Sequence, residues 1–193
     1  MMNGCICCTV RQDLIAVLNK LAKRVNAGML KLDGIIIETT GMADPAPVAQ
    51  TFFVDEMVQA FAKLDGIVTL VDAKHIEQHL DEQKAEGVEN EAVEQVAFAD
   101  RLLLNKTDLV SEDDLARIEA RLKSINHTAP ILRCHKANIS VESVLDIGAF
   151  DLTRTLEMDP GASVAPSRDH PNCLLLIGIE YHWFDSDHHP ALS

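Results

Sequence analysis

Three apolar runs are spaced along the first half of the chain: "GIIIETT" ending at Thr40, "GIVTLVD" ending at Asp72 and "RLLLNKTD" ending at Asp108. The first two are entered through the same "KLDG" turn, at 31–34 and 63–66. None alternates polar with apolar positions, so each suits a strand buried on both faces of a parallel sheet, with room between them for crossover helices. "APILRC" at 129–134 is a fourth run of the same kind.

The segments between these runs change to helical spacing. Thr9 is placed to cap a helix reaching about Met29, with Leu14, Val17, Leu18, Leu21 and Val25 on one stripe and Gly28 near its end. Pro45 and Pro47 turn the chain into a helical segment from about Val48 to Lys63, and "EGVENEAVEQVAFAD" at 86–100 predicts another before the third strand. Ser111 caps "EDDLARIEARLKSI", whose acids fall in the first turn and whose base falls in the last, as the helix dipole favours. A short helix is expected over 140–147. The pattern is an α/β domain with a mostly parallel sheet. Beyond Glu157 both periods fade among turn formers, so 158–193 is expected to be an irregular tail. Within that tail only "CLLLIGIEY" at 173–181 has strand-like length.

Composition narrows the partners. A net charge of −13, from 17 basic and 30 acidic residues, disfavours a nucleic-acid binder, whose affinity depends on Lys and Arg displacing counterions. No apolar run approaches the roughly 20 residues that span a bilayer, so no membrane partner is expected. Five cysteines, three of them crowded at Cys5, Cys7 and Cys8, do not resemble a dispersed disulfide framework. A reducing compartment, the cytoplasm, fits them.

In open parallel sheets ligands bind at the carboxyl ends of the strands, which gives the residues leaving each run particular weight. Asp108 can accept from both the N1–H and the exocyclic amine of guanine. Asn105 would hold the loop and the purine edge, and the aliphatic stem of Lys106 would lie along the base. The alternative is a solvated turn. At the end of the first run, Glu38 can hold Mg²⁺ through water and the Gly41 N–H can reach a terminal phosphate; a capping glutamate and a turn glycine are the alternative. The three cysteines suit Zn²⁺, with Cu(I) as competitor and a reduced thiol cluster as the alternative. Three sulfurs leave one tetrahedral position open, which suits a carrier rather than a structural site. His170, His182, His188 and His189 are scattered too widely to define a second site.

Taken in order, "NGCICCTVRQDL", "IIIETTGMADPAPVAQTFFVDE", "DGIVTLVDAKH" and "LLLNKTDLV" resemble the CobW-type metallochaperone GTPases, in particular the zinc-regulated GTPase metalloprotein activators, over about residues 3–157. The resemblance implies a P-loop NTPase-like domain over 1–157. It also implies metal binding by Cys5, Cys7 and Cys8, a catalytic and nucleotide-contacting switch at Glu38, Thr39, Thr40 and Gly41, and guanine recognition by Asn105, Lys106 and Asp108. Proteins of this kind couple GTP binding and hydrolysis to delivery of zinc, or in other branches cobalt, to a client metalloprotein.

A Gly-Lys-Ser/Thr string, which cradles phosphates in such enzymes, occurs nowhere in the 193 residues. The sequence is therefore expected to lack the first strand and P-loop, to be shortened at both ends, and to bind nucleotide weakly with little or no hydrolysis. The missing strand would be central, leaving its two neighbours with unpaired edges; 173–181 has the length to occupy the gap, but nothing in it specifies a register, and it is expected to stay irregular. Two functions stand: a GTP-dependent zinc chaperone of reduced catalytic power, or a non-enzymatic zinc-binding or interaction module.

Overall fold

A computed structural model describes residues 6–39, 45–85, 87, 88, 90–149 and 174–180, with the backbone alone described at 6–10 and 174–180. In chain order the elements are α1 (Ile6–Asn26), β1 (Gly34–Thr39), α2 (Ala46–Val54), α3 (Glu56–Phe61), β2 (Lys63–Asp72), α4 (Ile76–Leu80), α5 (Glu91–Phe98), β3 (Arg101–Asn105), α6 (Glu112–Ile125), β4 (Ile131–Arg133) and β5 (Leu174–Glu180). The five strands form one sheet in the order β1-β5-β2-β3-β4, and every pairing is parallel.

β2 and β3 divide their side chains between two apolar layers, while β1 packs Ile35 and Ile37 on one face and leaves Ile36 exposed on the other. Ile67 of β2 packs with Leu18 of α1, Val48 and Phe52 of α2 and Val58 of α3, joined by Ile35 and Ile37 of β1. Farther along the same face, Val71, Leu102 and Leu104 pack against Ile76, Val96, Leu115, Ile118 and Leu122 from α4, α5 and α6. The opposite face offers Val68, Leu70 and Leu103, covered by Ile139, Val144, Leu145 and Ile147 from the chain after β4. The successive crossovers from β1 to β4 thus run over one face, and the return from β4 towards β5 begins on the other. Right-handed crossovers require this arrangement once the direction of travel across the sheet reverses.

Local chemistry sets the element ends. Ser111 Oγ accepts from Asp114 N at 3.2 Å, with Glu112, Asp113 and Asp114 in the first turn of α6 and Lys123 in its last. α5 begins at Glu91 rather than near 86, because Asn90 Oδ1 takes the Ala92 and Val93 N–H groups at 2.9 and 3.3 Å. The expected single helix from Val48 to Lys63 is broken at Asp55, whose backbone is extended and whose carboxylate accepts from Val58 N at 2.9 Å. A capping side chain in mid-segment competes with helix continuation, and here it starts a new helix. α1 begins at Ile6, so Thr9 lies inside it rather than at its cap.

The expected irregular tail is corrected at Leu174–Glu180. These residues form β5 between β1 and β2, with Gly34 and Lys63 both opposite Leu174 at one end, and Thr39 and Thr69 both opposite Ile179 near the other. A seven-residue run flanked by turn formers carries no pairing signal of its own; the two strand edges beside it supply the register. Among the described residues no helix is long and apolar enough to cross a membrane.

Candidate functional site

All five strands point the same way, so β1, β2, β3 and β4 deliver Thr39, Asp72, Asn105 and Arg133 to one edge of the sheet. Two loops build the site there. The first leaves β3 through Lys106, which adopts a left-handed conformation with φ 59° and ψ 32°, and enters a 3₁₀ turn over Thr107–Leu109. The second leaves β4 through Cys134 and His135 and then places Lys136 and Ala137 at φ 50° and 53°. Two successive non-glycine residues in the left-handed region are uncommon and costly unless the surroundings hold them.

Asn105 joins the loops. Its Oδ1 accepts from the Ala137 N–H at 3.0 Å, and its carbonyl accepts from the Ala73 N–H at 2.9 Å, so one residue ties the loops that follow β2, β3 and β4. Thr107 Oγ1 adds a bond to the Cys134 carbonyl at 3.1 Å. Asp108, on the 3₁₀ turn, has its carboxylate 2.5 Å from His135 Nδ1, with 43% of the side chain still exposed. The hydrogen bond from His135 holds the Asp108 carboxyl below the usual carboxylate range. Burial pushes the Cys134 thiol up and so keeps it protonated beneath the loop.

Beside the first loop, at the end of β2, lies a buried acid that sequence reasoning did not single out. Asp72, only 6% exposed, accepts from Lys106 Nζ at 2.7 Å, His75 Nδ1 at 2.9 Å and the Lys74 N–H at 2.9 Å. Burial alone would raise its carboxyl, but the bonds from Lys106, His75 and Lys74 outweigh burial and hold it low.

The structure therefore gathers Asn105, Lys106 and Asp108 on one edge with a shared network. Glu38 and Thr39 reach the same edge on β1, Glu38 exposed and Thr39 with its Oγ1 buried and without a hydrogen-bond partner among the described residues. Thr40, Gly41 and Cys5 lie outside the described residues, and Cys7 and Cys8 are described only as backbone in the first turn of α1. Asp72, His75, His135 and Ala137 were missed from sequence. The same strand-end rule that marked Asn105 would have marked them, since each follows or closes a strand at its carboxyl end.

Fold and edge together define a parallel α/β domain of the P-loop NTPase kind, with its loops gathered at the strand ends. Residues 1–133 match the family described as CobW/HypB/UreG, nucleotide-binding domain, and the chain belongs to that family. It is 34% identical over 180 residues to zinc-regulated GTPase metalloprotein activator 1 of Schizosaccharomyces pombe, covering 92% of this chain and 41% of that protein. It is 36% identical over 150 residues to zinc chaperone YjiA of Escherichia coli, covering 78% of this chain and 45% of that one. The crystal structure of Zn(II)-bound YjiA GTPase superposes with a TM-score of 0.60 at 35% identity, over 67% of this chain and 38% of the other. The chain spans about two fifths of the length of these curated relatives.

Proposed function

We propose that this chain reads a guanine nucleotide through Asn105, Lys106 and Asp108 and carries zinc on Cys5, Cys7 and Cys8 for transfer to a client metalloprotein, in the cytoplasm. The carrying observation is the braced edge itself: Asn105 bonded to Ala137 N at 3.0 Å, beside an Asp108 carboxylate still 43% exposed. A carboxylate held ionised offers two acceptors to the N1–H and amine of guanine, while adenine would leave it unpaired. His135 meets Oδ1, and the exposed part of the carboxylate can turn towards a base.

Mg²⁺ fits the oxygen donors at the end of β1, where Glu38 would hold it through water and the Thr39 hydroxyl has no described partner. When bound, Mg²⁺ would offset phosphate charge. Glu38 and the Gly41 N–H would then orient the terminal phosphate, with Thr40 between them. The cysteine cluster would hold zinc as cargo, three thiolates leaving a position through which a client can take the ion. Because the 193 residues contain no Gly-Lys-Ser/Thr string, nucleotide affinity is low and hydrolysis slow or absent in this polypeptide. The same observation favours a second reading, a zinc-binding module without GTPase activity.

Base exchange tests the guanine reading. Asp108→Asn replaces two acceptors by one acceptor and one donor, the pattern that suits xanthine, so the variant should lose guanosine nucleotides and gain xanthosine nucleotides. An unchanged base preference would refute the assignment. For the cargo, one equivalent of Zn²⁺ should bind and be lost in Cys7→Ser. Phosphate release from GTP then separates the two readings: turnover abolished by Asp108→Ala supports the GTPase, and zinc binding with no turnover supports the module.

A further inference from the structure

We infer that Asp72 is a positioning residue of the nucleotide site, which anchors the Lys106 ammonium so that the lysine stem forms a fixed platform for a purine ring. The inference rests on the guanine reading and adds a residue from another strand to it. Asp72 and Asn105 are register partners across β2 and β3, which places Lys106 one position beyond the pair. The Lys106 backbone turns left-handed there, at φ 59°. Its side chain crosses from the end of β3 to the end of β2, where Nζ lies 2.7 Å from Asp72 Oδ2.

The two side chains differ in exposure, 43% for Lys106 against 6% for Asp72. The acid is the fixed end, held by the Lys74 N–H on Oδ1 and by His75 Nδ1 on Oδ2, and the lysine is tied to it. A free lysine would sample many rotamers and lose that freedom only when a base arrived. Anchored to Asp72, it loses the freedom on folding, so the ligand meets a preformed apolar stem. The platform touches the ring face that all purines share, whereas Asp108 reads the edge that distinguishes them. Affinity and base selectivity are thereby divided between two acids, one closing β2 and one on the turn that follows β3.

Calorimetric titration of the full chain with guanosine and inosine diphosphates tests this division, since inosine lacks the amine that Asp108 reads. Asp72→Asn should weaken both nucleotides by the same factor, roughly five- to tenfold for one side chain newly immobilised on binding, and leave their ratio unchanged. Lys106→Met keeps an apolar stem but loses the anchor, so it should give the same loss, and it serves if Asp72→Asn does not fold. The double variant should bind no more weakly than either single one. Wild-type affinity in Asp72→Asn, multiplied losses in the double variant, or a shifted guanosine-to-inosine ratio would each overturn the inference while leaving the guanine reading intact. A wild-type chain that does not prefer guanosine over adenosine diphosphate would overturn both.

Discussion

At the scale of single residues, the carboxylates at the sheet edge tie stability to pH. Asp72 and Asp108 both titrate lower in the fold than in the open chain, Asp72 because three donors outweigh its burial and Asp108 because His135 donates to it. Their stabilising contribution is complete above the unfolded carboxyl pKa of about 4 and disappears as pH falls through the lower folded value. Asp100 has the opposite sign, since burial raises its carboxyl against the bond it accepts from Ile67 N, and its protonation favours the fold on the way down. Urea midpoints measured from pH 7 to pH 3 should therefore decline in acid. In Asp72→Asn the midpoint should start lower at pH 7, by about 1–3 kcal/mol of stability, and decline less steeply. A steeper decline would contradict the network. Asn105, Lys106 and Asp108 were legible as single positions because they leave an apolar run together. The Asp72 to Lys106 bond was not, because its partners lie 34 positions apart and only the β2 to β3 register brings them together.

At the scale of elements, one buried amide ties together what surface charge only decorates. Asn126, 7% exposed, donates through Nδ2 to the carbonyls of Val96 and Ala99 at 2.9 and 2.8 Å, and its Oδ1 accepts from Thr128 N and Ala129 N at 3.2 and 3.0 Å. It satisfies the carboxyl end of α5 and the turn after α6 together. Asn126→Ala would leave several buried groups unpaired and should cost about 2–4 kcal/mol in chemical denaturation. Arg117, by contrast, makes a two-pronged pair with Glu77 at 2.9 and 2.8 Å across exposed faces of α6 and α4. Water competes for such a pair, so Arg117→Ala should barely move the urea midpoint. Were the order of the two effects reversed, the fold's polar interior would be misassigned. The α6 cap was readable because Ser111 and its acids stand directly before an apolar stripe. The break at Asp55 was not, since an Asp between two helical stretches reads equally as helix surface until its carboxylate is seen on Val58 N.

Across the whole molecule the sheet is completed out of sequence order. The runs that became β1 to β4 were visible because their residues are apolar without alternation; the cover on both faces that this pattern implies is met by β2 and β3 but not by β1, whose residues alternate in exposure. β5 was visible only as a length, because its neighbours on both sides come from segments more than 100 positions earlier. Ending the chain before Cys173 would strip one edge from β1 and one from β2, and the shortened protein should move from the soluble to the pelleted fraction on expression. Solubility equal to that of the full chain would show that the slot closes without β5. Ile36 on β1, 69% exposed, marks the weakly covered side of the same region.

The place of β5 also sets how the molecule would respond to force. A strand flanked by parallel partners and drawn along its own axis loads both ladders in shear, so their hydrogen bonds must yield together rather than one at a time. Drawing β5 out of its place would therefore part β1 from β2 and divide the sheet in a single step.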